Sequence, residues 1–167
     1  MKKLFALLLL FVSLAALAQM PDKIPALPET KEQFISSEKD FIAAEKWLES
    51  TAIGTDAEKR KLVNAWVTAW VINSPTVTVE VRSSILKLFD KNPELNILFL
   101  AAYSRYCIEN NYSTDQLKCN VAGIKAVINC YNLGGEVKNE KSLNKVIEKD
   151  KEGKLAEWVE DAMKTDK

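Results

Sequence analysis

PELNILFLAAYSRYCIEN, residues 93–110, is apolar on nearly every side of a helix: Leu95, Leu98, Phe99, Ala102, Tyr103 and Tyr106 cover one face, and Ile97, Leu100, Ala101 and Ile108 the opposite one. Asn92 suits a helix N-cap, Pro93 suits the first helical position, and Asn110-Asn111 marks the end. A helix without a polar face has to be surrounded by other helices. The stretch therefore predicts the centre of an all-α bundle.

Working outward, residues 114–133 repeat Leu117, Val121, Ile124, Val127, Ile128 and Tyr131 at helical spacing. A second stripe on that helix, Cys119, Gly123, Ala126 and Cys130, is small enough for another backbone to come close, and Gly134-Gly135 closes the helix. On the other side, residues 56–72 carry Leu62, Val63, Trp66, Val67, Trp70 and Val71 as a wide apolar stripe that ends at Asn73-Ser74-Pro75. A further helix is expected over 31–50. Thr30-x-x-Gln33, Thr55-x-x-Glu58 and Ser113-x-x-Gln116 have the form of capping boxes at three of these starts.

Residues 76–90 give a mixed signal. Val77, Val79 and Val81 alternate as in a strand, whereas Ile85, Leu88 and Phe89 continue as in a helix. Helix is the preferred reading, because no second strand is there to pair with a first. The charged tail, 138–167, offers two short amphipathic helices, one on Leu143, Val146 and Ile147 and one on Leu155, Trp158, Val159 and Ala162. The expected fold is an all-α bundle of five to seven helices, with a core domain at 30–137 and the tail packed on it.

The N-terminus reads as an export signal. Lys2 and Lys3 precede an apolar run from Leu4 to Leu17 broken only by Ser13, and Ala16-Leu17-Ala18 is a small-x-small cleavage pattern. Residues 1–18 are thus expected to be a signal peptide cut before Gln19, since the run is short of the ~20 apolar residues a membrane span needs. The Ala-Gln junction resembles signal peptides common among Gram-negative bacteria of the Bacteroidota type, which implies a periplasmic or secreted destination. Residues 19–29 hold Pro21, Pro25 and Pro28 and are expected to form an extended arm or a strap packed through Ile24 and Leu27.

The whole chain has 23 basic and 23 acidic side chains, so loss of two lysines with the leader leaves a formal charge of −2. Such a balance gives no footprint for nucleic acid, and the chain beyond the leader has no run suited to membrane insertion. There is no histidine. Its absence removes Ser-His and Cys-His nucleophiles and the commonest zinc ligand. No glycine-rich phosphate loop or other cofactor motif is present, so no cofactor and no catalytic residue is expected. Carboxylate-only hydrolysis survives as a formal alternative. Glu109, at the end of the most apolar helix, is the acid nearest the core by sequence, although its place at a helix end favours solvation.

Glu148, Asp150 and Glu152 before Gly153 approach a calcium loop, but Val159 stands where the bidentate glutamate belongs, so a charged helix linker is the better reading. Trp66 with Trp70, and Tyr103 with Tyr106, could face each other across an aromatic ligand pocket; at this spacing they are more often core. Trp158, in a charged neighbourhood, either docks the last helix or meets a partner.

Three cysteines remain, and an odd number leaves one unpaired in a monomer. Cys119 and Cys130 are separated by about 16 Å of helical rise, beyond the ~7 Å limit between bridged α-carbons. In an antiparallel hairpin of the helices at 93–110 and 114–133, Cys107 falls level with about residue 116, which puts Cys119 about 4–5 Å further along the axis and Cys130 about 21 Å away. Cys107–Cys119 is thus the expected disulfide, against an alternative of three buried thiols. The functional expectation is an exported helical protein that acts by binding, as a protein-interaction or chaperone-like module, and not by catalysis. A small-ligand binder with the aromatic pocket is the alternative, followed by the carboxylate hydrolase.

Overall fold

The computed structural model describes residues 24–165, so the predicted leader and residues 19–23 of the arm lie outside the described residues. Within them the fold is all-α, with seven α-helices and no strand. These are α1 (Lys31–Ser50), α2 (Ala57–Asn73), α3 (Ser83–Leu86), α4 (Pro93–Glu109), α5 (Gln116–Asn132), α6 (Lys141–Lys151) and α7 (Leu155–Thr165). A 3-10 turn at Lys87–Phe89 follows α3. Among the described residues no helix is long and apolar enough to cross a membrane.

The all-round apolar helix is central: α4 packs against α1, α2 and α5. Its seam with α5 is close because Gly123 has no side chain. A Cβ there would stand 2.7 Å from the Phe99 ring and 2.9 Å from the Phe99 carbonyl oxygen, so any larger residue would push the helices apart. The tail helices add a second layer, with α7 on α5 and α3, and α6 on α7 and the 3-10 turn. Leu143, Val146 and Ile147 of α6 and Leu155, Val159 and Ala162 of α7 are buried, as their narrow stripes require. In the arm, Ile24 packs on the core and Pro28 is buried, whereas Leu27 is exposed.

One capping box forms as written, with the Thr30 hydroxyl accepting from the Gln33 amide and the Gln33 side chain accepting from the Thr30 amide. The other two do not. Asp56, not Thr55, precedes α2 in a left-handed conformation, since the preceding chain is held by a turn and by the bridge from Ile53 to Gly135. Gly135 is needed there, because a Cβ would lie 2.2 Å from the Ile53 carbonyl oxygen. At α5 the cap is Asp115, whose carboxylate accepts from the Lys118 amide, while Ser113 accepts from Asp115. Asn92 does not cap α4. Its amide instead donates to the Lys138 carbonyl and accepts from the Lys138 amide, tying the start of α4 to the segment leading into α6.

Residues 76–82 correct the helical expectation: they run extended, and helix begins only at Ser83. Val77, Val79 and Val81 are half-buried against the core, while Thr78 and Glu80 are exposed. The alternation is real, but it serves a strap lying on helices instead of a strand in a sheet.

Candidate functional site

The aromatic residues nominated from the sequence divide by burial. Trp66, Trp70 and Tyr103 are buried. Trp70 stacks on Phe41 at a ring-centre distance of 4.0 Å, meets the edge of Phe34, and donates from Nε1 to the Ser37 hydroxyl at 2.8 Å. Tyr103 lies edge-on to Phe99. These contacts make Trp70 and Tyr103 part of the packing between helices. Tyr106 and Trp158 are half-buried against the same core, and Trp158 borders a small cavity of about 120 Å³ with Lys149, Lys154, Glu157 and Asp161.

The calcium-like run is a helix end held by lysines. Glu148 pairs with Lys151, Glu152 with Lys149 and Lys154, and Asp150 with Lys125 from α5. No group of three or more His, Cys, Asp or Glu that could hold a metal occurs among the described residues.

The acidic residue that stands out is one the sequence reading passed over. Glu45 of α1 is fully buried, whereas Glu109 is partly exposed and paired with Lys46 at 3.0 Å. Arg105 of α4 reaches Glu45 at 2.6 Å without hydrogen-bond alignment, and neither carboxylate oxygen of Glu45 accepts a hydrogen bond. The same guanidinium donates to Glu49 at 2.9 Å and stands 3.8 Å from Glu109, so one cation is shared among three acids. Close approach of Arg105 favours an ionised Glu45, but burial opposes it and prevails. The carboxyl is pushed up to about 8, with Glu49 and Glu109 adding to the rise. A neutral Glu45 also leaves the cluster balanced, with Glu49 and Glu109 against Arg105 and Lys46.

A pH signature follows. Because the folded carboxyl titrates above its ordinary value of 4.5, the stability it contributes is whole below that pH and is lost as pH rises through about 8. Glu45→Gln, neutral at every pH, is expected to flatten the stability profile across that window and to exceed the wild type by about 1–3 kcal/mol near pH 9. Urea unfolding at several pH values measures this. Parallel profiles for the two proteins would contradict it.

A wide surface depression lies elsewhere, along the outer side of α2. It is an open trough of about 780 Å³ lined by Ala57, Glu58, Lys61, Asn64, Ala65, Thr68, Ala69, Ile72 and Asn73, with Glu94 and Ile97 of α4 forming its far wall. Ile72 is 74% exposed, and Leu62, beside the trough on α2, is 60% exposed. Leu62 thus lies at the exposed edge of the wide apolar stripe read from the sequence. Helix α2 packs on α1 and α4, and the trough runs along its outer side where it borders α4.

No protein-family model, curated protein or solved structure matches this chain.

What the sequence could have shown is the position of the buried charges. Glu45 falls four residues after Phe41 and three before Leu48, and Arg60 falls three before Val63 and seven before Val67, so both occupy apolar-face positions. A charge at such a position signals a partner on a neighbouring helix. The trough has no such signal, because small residues on an exposed helix face look ordinary in sequence.

Proposed function

We propose that this chain is an exported, non-catalytic binding protein whose contact face is the outer side of α2, where it docks an amphipathic helical segment of a protein partner. The observation that carries the reading is the trough. Ala57, Ala65 and Ala69 line it, small residues that let another helix approach closely, and it follows α2 for about 25 Å, the length of several helical turns. Ile72 and Leu62 remain in water, and each would gain about 1.5–3 kcal/mol on full burial. Glu58 and Lys61 stand on the rim, so the complementary helix carries charges of both signs beside apolar anchors spaced three and four residues apart. Export is supported by the charged-then-apolar run and the Ala16-x-Ala18 pattern of the leader. The lack of histidine and the lysine-paired acids support binding over catalysis.

The test uses synthetic amphipathic helical peptides of about 18 residues with leucines at that spacing, titrated into the purified protein and followed by backbone chemical shifts. Shifts are expected along Ala57–Ile72 and at Ile97, with binding at least ~10-fold weaker in Ile72→Asp. Ile72 is exposed, so the variant should fold normally. Shifts confined to other surfaces, equal binding by the variant, or a dimer through α2 that excludes the peptides would each overturn the proposal.

A further inference from the structure

We infer that Cys107 and Cys119 form an oxidisable pair that closes to a disulfide, with Cys107 the sulfur that first meets the oxidant and Cys119 the one that resolves it. The two thiols face each other across the seam of α4 and α5 with their sulfurs 3.2 Å apart. A disulfide needs about 2.05 Å, a closure of little more than 1 Å that side-chain rotation can supply. The connection between the helices is already fixed, since the Ser113 amide donates to the Cys107 carbonyl at 3.1 Å. Cys130 is out of play. Its sulfur lies against the Arg60 guanidinium at 3.6 Å and the Thr51 carbonyl at 3.7 Å, at the other end of α5.

The order of attack comes from a cavity of about 130 Å³ between the 76–80 strap and the 112–116 turn. Tyr103 and Cys107 line it, and Cys119 does not. A small disulfide reagent, R–S–S–R, can therefore reach Cys107 first. The Cys107 sulfur displaces one R–SH and forms a mixed disulfide. Cys119 then attacks the Cys107 sulfur and releases the second R–SH. Two S–H bonds are lost and one S–S bond is gained, and the reagent takes up both electrons and both protons. Burial holds both thiols above their ordinary range, Cys107 at about 12, so the folded protein exchanges slowly at neutral pH. This behaviour is that of a structural clip and not of a redox catalyst. The inference stands apart from the α2 trough, and either can fail without the other.

Reduced, folded protein is treated with cystamine, a small disulfide, at mildly alkaline pH; it is then acid-quenched and mapped by non-reducing peptide mass spectrometry. The expected product has lost two hydrogens and links the Cys107 and Cys119 peptides, with Cys130 still a thiol. In Cys119→Ala the cysteamine adduct is expected to stay on Cys107. Oxidised wild type is expected to melt about 5–10 °C above the reduced form, as for a bridge closing a loop of this length. Three alkylatable thiols after prolonged treatment of the wild type, a bridge to Cys130, or first adducts on Cys119 would overturn the inference.

Discussion

Trp70→Ala is expected to lower unfolding stability by about 3–5 kcal/mol, the range for emptying a fully buried aromatic site. Three separate losses point the same way. The indole is completely buried, so its removal opens a cavity between α1 and α2 that the backbone cannot readily fill. It gives up the stack on Phe41 and the edge contact with Phe34, each worth about 0.5–1.5 kcal/mol beyond the area buried. It also removes the Nε1 donor to Ser37, a smaller effect because that hydroxyl still donates to the Phe34 carbonyl. Trp70→Phe keeps most of the packing and loses the hydrogen bond, and should cost about 1–2 kcal/mol, which keeps the test usable if the alanine variant does not fold. Urea denaturation of both variants provides the measurement. A loss under ~1.5 kcal/mol for the alanine variant would mean that the α1–α2 seam is not built around this ring.

Arg60→Ala is expected to cost a similar amount, about 3–5 kcal/mol, for a different reason. Helix α1 has no basic residue in its last turn, and its C-terminal neighbour Thr51 is extended. Arg60 supplies the missing cation from α2: its guanidinium donates to the Leu48 carbonyl at 3.3 Å and the Thr51 carbonyl at 2.8 Å. Its Nε donates to Glu94 at 2.8 Å, so one side chain joins α1, α2 and α4. Glu94 is 42% exposed and also accepts from Asn64, so water can take over much of its loss. The larger cost therefore falls on the carbonyls at the end of α1, which would be left without their charged donor. Lysine should not rescue the site, because a point charge cannot span three acceptors in the guanidinium plane. Thermal and urea unfolding of the alanine and lysine variants test the claim, and a lysine variant as stable as wild type would contradict it.

The helices were legible where periodicity and punctuation agreed. The 93–110 stretch announced a central helix, and α4 is indeed surrounded by α1, α2 and α5. Legibility failed where a residue had two possible uses. Asn92 could cap α4, but tertiary pairing with Lys138 claimed its amide. Val77, Val79 and Val81 carry a two-residue period, and the lack of a partner strand favours helix over strand, but a strap on helices needs no such partner. The apolar spacing of α2 does not tell which edge of a wide stripe is covered, and Leu62 lies at the exposed one. The site was less legible still. Glu45 and Arg60 sit at apolar-face positions, but their partners Arg105, Glu94 and the carbonyls of α1 lie tens of residues away, and only the packed helices bring them together.

The closeness of α4 and α5 also bears on the order in which the chain assembles. Only residues 110–115 separate the two helices, whereas residues 51–92 separate α1 from α4. Closing a loop roughly seven times longer costs about 2 kcal/mol more in chain entropy. The α4–α5 hairpin is therefore cheaper to close than the α1–α4 contact, and the Gly123 notch against Phe99 gives it a fixed register. A hairpin formed there would offer an apolar surface to α1 and α2, which the equally short 51–56 connection lets pair with each other, so two local hairpins could meet with only the 74–92 segment left to settle between them.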